Sequence, residues 1–233
     1  MAAFRLAWAH GADGAELDVH LSRDEKIIVC HDANTMRTTG KNRLIEVTDS
    51  SELRDLPQLG EVVAEIPAGR ELLVEVKCGI EILYWLAAAK LPVEKVGFLS
   101  FDREVLQGIK EKYPKHRCML NVEPEKFSAE KLISLAGAQT ARAASGENGG
   151  ADRRSARTDQ AQTRPSAPQF DGVSLGWHPS IERTLVDALH AAKLTVAVWT
   201  VDDPEIAKRA GEAGVDILMT NRPREIREAL RAG

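Results

Sequence analysis

The chain has 233 residues, 43% of them apolar and 28% charged, with a formal charge of −4. That balance is of a globular protein with one sizeable core, and it offers no basic footprint for nucleic acid or an anionic membrane. Cys30, Cys78 and Cys118 lie far apart without a CxxC pair, which argues against a disulfide framework or a thiolate metal site. No apolar run has the length needed to span a bilayer.

Taken in order, the chain opens with a helix over residues 1–10, with Phe4, Leu6, Ala7 and Trp8 near one face and Gly11 as its stop. It has neither the basic start nor the cleavage site of a signal peptide, and the reading places the protein in the cytoplasm. A strand carrying Glu16 and Asp18 follows, then a turn at Asp24 and Glu25. A second apolar run, residues 27–30, delivers His31 and Asp32. Residues 37–43 read as a polar loop, 48–56 as a short helix capped by Thr48 or Asp49, and 58–65 as another helix closed by Pro67 and Gly69.

From there strands are predicted at 71–77, 96–101, 116–121, 172–175, 195–201 and 216–220. They alternate with helices at 80–90, 103–112, 124–135, 180–192, 204–213 and 224–231. Such alternation implies a parallel sheet with crossover helices, either a closed barrel or an open doubly wound sheet. Residues 136–169 break the pattern. They are rich in Ala, Gly, Ser, Arg and Gln with almost no large apolar side chain, and read as a disordered surface insertion in one barrel domain spanning 1–233.

Polar residues at strand ends carry the chemistry. Glu16 and Asp18 are two apart on one strand and aim together, while Leu17 and Val19 face packing. Either both acids lie on a solvated edge, or a hard cation sits between them. Glu75 and Lys77 share a face in the same way at the end of ELLVEVK, as a plain ion pair or as part of a site. Ser100 and Asp102, Asn121 and Glu123, Trp199 and Thr200, and Thr220 and Asn221 end the later strands, where α/β sites form. Acids, a lysine and a histidine so placed suit a cation holding a phosphate, with His31 as acid or base. His116, beside Pro114 and Lys115, reads as solvent-exposed, and Cys30 as buried and inert.

Residues 14–32, with ELD at 16–18 and HD at 31–32, resemble the ELD…HD signature of the glycerophosphodiester phosphodiesterases. ELLVEVK is similar to that family's E-[IV]-K strand, Leu99–Phe101 to its S-F strand, residues 197–201 to its WTV strand, and 217–223 to its closing T-D-R-P segment, with Asn221 where Asp is common. The resemblance implies an α/β TIM-type (β/α)8 barrel with an antiparallel hairpin arm after the ELDV strand. It implies metal-dependent hydrolysis of a small-molecule glycerophosphodiester to glycerol 3-phosphate and an alcohol. By position, Glu16, Asp18 and Glu75 match the family's Ca²⁺ or Mg²⁺ ligands and His31 one of its two catalytic histidines. Lys77 matches its phosphate-side lysine, and Trp199 an aromatic wall against the glycerol. Two histidines in opposite protonation states imply a bell-shaped pH profile.

The family begins with a strand ending in H-R and a P-E-N-T loop, which supply its first catalytic His, a phosphate-binding Arg and a fourth metal ligand. This sequence opens just beyond that place, so seven strands are predicted for an eight-strand barrel, its first strand absent from this chain. The simplest expectation is a natural start upstream by about 25–40 residues, one unit of a barrel of about 250 residues. The alternative is a short form that binds a divalent metal or phosphodiester without turnover.

Overall fold

Leu17 and Val19 are buried on one face of strand β1 (Gly14–Leu21), while Glu16 and Asp18 turn to the other, the period of two that a strand imposes. The computed structural model describes residues 1–89, 91–137 and 169–231. Helix α1 (Ala2–Ala9) precedes β1 and ends at Gly11, whose φ of +80° is open to glycine at little steric cost. The arm β2 (Ile27–Val29) folds back antiparallel on the end of β1, pairing Val19 with Val29.

Six parallel strands follow: β3 (Glu71–Val76), β4 (Val96–Ser100), β5 (Cys118–Val122), β6 (Gly172–Gly176), β7 (Thr195–Trp199) and β8 (Ile217–Leu218). The sheet order is β2-β1-β3-β4-β5-β6-β7-β8, so β1 and these six make the seven parallel strands anticipated. Crossovers run through α4 (Ile82–Ala88), α5 (Arg103–Lys112), α6 (Ala129–Leu135), α7 (Arg183–Ala191) and α8 (Pro204–Ala213), with α9 (Pro223–Arg231) after β8. Between β2 and β3 lie α2 (Met36–Thr39) and α3 (Leu59–Ala64).

Packing on the two faces of the sheet separates a barrel from a doubly wound sheet. Val74, Phe98 and Leu120 point outward against Leu106 and Ile109 of α5. Further round, Val173 and Val196 meet Leu132, Val186 and Leu189 of α6 and α7. On the inner face Leu73, Leu99, Met119 and Ala197 pack on one another, with Ile217 and Met219 beside them, and no described helix enters that cluster. Helices on one face and a strand-only interior are the layers of a TIM-type barrel. Among the described residues no strand pairs with β8 beyond β7. Arg227 of α9 instead reaches the Gly11 carbonyl at the turn before β1.

Local chemistry explains where the elements begin. Asp102 caps α5 by accepting from the Glu104 and Val105 amides, and Asp203 caps α8 ahead of Pro204. The helix anticipated over 48–56 shrinks to one 3-10 turn, Ser50–Glu52, because the Asp49 carboxylate that would cap it pairs with Arg23. Within the polar loop α2 forms a single turn, closed by Gly40 at φ +71°. α6 starts five residues later than 124, where the Ser128 hydroxyl accepts from the Lys131 amide. Leu6 is exposed rather than on the packed face of α1. His116 is a correction of another kind. It is buried, its Nδ1 lies 2.8 Å from the Val96 carbonyl, and its ring packs on Phe98 and Tyr113.

The insertion anticipated at 136–169 falls mostly on residues 138–168, outside the described residues. Its flanks are ordinary core: Ala136 is fully buried, and the Phe170 amide donates to the Ala136 carbonyl at 3.2 Å.

Candidate active site

The site sits at the C-terminal end of β1 and β3, which pair in parallel so that Asp18 lies level with Glu75. The inward period that buries Leu73 in the barrel brings Glu75 and Lys77 above it, and the same period on β1 brings Glu16 and Asp18 alongside. Carboxylate oxygens of Glu16, Asp18 and Glu75 all lie within 4.8 Å of one another. Lys77 places Nζ 3.0 Å from Asp18 Oδ1 and 3.4 Å from Glu75 Oε1. The other Glu75 oxygen, Oε2, accepts from Asn121 Nδ2 of β5 at 3.0 Å.

Charge in this cluster is unbalanced, since three carboxylates face one ammonium. Burial pushes the Glu16 carboxyl up to about 8, with the Asp18 and Glu75 charges adding to the effect and Lys77 opposing it. Burial raises Glu75 too, and Asp18 adds to the rise, while Lys77 and His31 resist it. Burial works against the Lys77 charge, but bonding and attraction from Asp18 and Glu75 outweigh it and hold the ammonium above its ordinary value. Glu16 has no ion-pair partner among the described residues. Hard oxygen donors, crowded and short of two positive charges, fit a divalent cation. The acidic group is therefore placed to hold a metal ion.

His31 reaches the cluster through the hairpin arm. The Cys30 amide donates to the Asp18 carbonyl at 3.0 Å, so the next residue emerges beside the acids. His31 Nδ1 lies 2.7 Å from Asp32 Oδ1, and Arg37 donates to both Asp32 oxygens at 2.6 and 3.2 Å. The Arg37 hydrogen bonds, with that of His31, hold the Asp32 carboxyl well below the usual range. His20, on β1, puts Nε2 3.3 Å from the His31 carbonyl, and burial keeps its ring biased toward the neutral form. Trp199 of β7 meets Phe101, the residue just past β4, edge to face with centroids 5.9 Å apart.

A model of the glycerophosphoryl diester phosphodiesterase family matches residues 1–225. The chain belongs to that family. A glycerophosphodiester phosphodiesterase of Caldanaerobacter subterraneus subsp. tengcongensis is 27% identical over 267 residues, covering 100% of this chain and 92% of that protein. Rat lysophospholipase D GDPD1 is 49% identical over 49 residues only, covering 21% of this chain and 15% of its own length. An Oleispira antarctica phosphodiesterase, solved with the product sn-glycerol-3-phosphate, shares the fold at a TM-score of 0.72 and 21% identity. That match covers 99% of this chain and 90% of the other.

Within this family member, Glu16, Asp18, Glu75 and Lys77 come together from β1 and β3, and His31 follows the arm that pairs with β1. Trp199 stands apart from them on β7. Four other strand-end residues have structural partners. Ser100 donates to the Val76 carbonyl, Asp102 caps α5, and Asp202 collects Thr220 and Asn221 at 2.8 and 2.9 Å. Phe101 as partner of Trp199, and Asp32 with Arg37 behind His31, carry no periodic signal, although HD adjacency marked the first of that pair. No described helix is long and apolar enough to cross a membrane.

Proposed function

We propose that this chain hydrolyses glycerophosphodiesters to glycerol 3-phosphate and an alcohol, with Ca²⁺ or Mg²⁺ held by Glu16, Asp18 and Glu75. The observation that carries the proposal is the acidic trio with Lys77 between two of its members, in a chain of this family. A bound divalent cation would supply charge to the phosphoryl oxygens and to a coordinated hydroxyl.

The chain's own residues do the rest. Lys77, held charged by its neighbours, lies where a non-bridging phosphoryl oxygen would approach the acids, and offsets charge as it builds up there. His31 has Nδ1 turned to Asp32, so Nε2 is the atom that exchanges a proton with the substrate. Asp32, kept ionised by Arg37, fixes the ring orientation. Trp199 and Phe101 form an aromatic wall at the mouth, against which the glycerol carbons pack and from which water is excluded.

Release of glycerol 3-phosphate from glycerophosphocholine, with and without Ca²⁺ or Mg²⁺, tests the proposal. Loss of turnover in His31→Ala, with metal binding retained, separates catalysis from binding without turnover.

A further inference from the structure

Asn121 is 5% exposed, and only one end of its amide is used. Nδ2 donates to Glu75 Oε2 at 3.0 Å, whereas Oδ1 is buried with no hydrogen-bond partner among the described residues. Ser174, its register neighbour on β6, is fully buried, and among the described residues its hydroxyl is unpaired rather than turned to that Oδ1. A buried amide carbonyl without a partner is destabilising, and an apolar side chain of the same shape would suit the core better. Rotating the amide would bring Oδ1 against a carboxylate oxygen and lose the bond altogether. The orientation observed therefore serves Glu75.

Glu75 is gripped from two sides, by Lys77 at Oε1 and Asn121 at Oε2. Asn121 reaches it from two strands away, past β4, whose level residue Leu99 is apolar. We infer that Asn121 is a positioning residue, which aims the Glu75 carboxylate into the cation site and so sets the site's metal affinity. This rests on the metal-site proposal above. Groups that orient a ligand without touching the ion change metal affinity by about 10–100-fold when removed.

The test is Asn121→Leu in the full chain, titrated calorimetrically with Ca²⁺ and separately with Mg²⁺, beside its melting temperature in EDTA. The expected result is a variant that stays folded in EDTA, with affinity for the bound ion weakened about 10-fold or more. Should Leu prevent folding, Asn121→Ala reads the same affinity loss. Wild-type affinity in a folded variant, or a lowered melting temperature with affinity intact, would overturn the inference and leave the metal site standing. Failure of wild type to bind either ion would overturn both.

Discussion

Replacing Glu16 by Gln removes a carboxylate that the metal-free fold holds at a disadvantage. Burial and two neighbouring acids carry its carboxyl from the ordinary 4.5 to about 8. A group raised in this way favours the folded state fully below pH 4.5, and the advantage is lost as pH rises through about 8. At ~1.4 kcal/mol per pH decade, an ionised Glu16 would destabilise the metal-free protein by up to about 5 kcal/mol above pH 8. Water entry and side-chain relaxation lower that limit, and about 2–4 kcal/mol is the magnitude to expect. Glu16→Gln, of nearly the same shape, should unfold in EDTA with a higher urea midpoint than wild type at pH 9. At pH 5 the two should differ by less than ~1 kcal/mol. Saturating Ca²⁺ or Mg²⁺ should reverse the order, because wild type alone keeps the full ligand set. A gap that does not change with pH, or a less stable Glu16→Gln at pH 9 in EDTA, would refute the reasoning.

Other outcomes follow from the same geometry. Glu75→Gln should abolish the rise in melting temperature that Ca²⁺ or Mg²⁺ gives wild type, read by scanning calorimetry. His31→Ala should lower kcat by about 10²–10⁴-fold with metal binding unchanged in titration calorimetry. Arg37→Ala should act more weakly, lowering kcat through a less firmly held Asp32–His31 pair and leaving the unfolding free energy, read by urea titration, within ~0.5 kcal/mol of wild type. His116→Ala should destabilise by about 2–3 kcal/mol in denaturant, since it empties a packed place between Phe98 and Tyr113 and leaves the Val96 carbonyl unpaired. Its metal affinity should not change.

Much of the site was legible because its residues obey a period. Glu16 with Asp18, and Glu75 with Lys77, are two apart on apolar strands, so the sequence alone shows that each pair shares a face. That the two pairs sit level depends on the register of β1 against β3, which no local pattern records. Strand and helix alternate alike in a barrel and in a doubly wound sheet. The decision came from Leu73, Leu99, Met119 and Ala197 packing together with no described helix among them. Phe101 meets Trp199 from three strands away, and Asn121 meets Glu75 from two, so neither contact leaves a local trace. His116 misled because Pro114 and Lys115 flank it, yet the polarity of a loop says nothing about the first side chain turned inward at a strand entrance. Asp49 looked like a cap, but its carboxylate found Arg23 across the hairpin.

The most direct measurement is the release of glycerol 3-phosphate from glycerophosphocholine by the purified chain, in EDTA and after adding back Ca²⁺ or Mg²⁺. The expected result is no product in EDTA, recovery with at least one of the two ions, and loss of that recovery in both Glu75→Gln and His31→Ala. Product formed equally in EDTA, or none under any condition from a chain that binds the ion, would contradict a metal-dependent phosphodiesterase site built on Glu16, Asp18, Glu75 and His31.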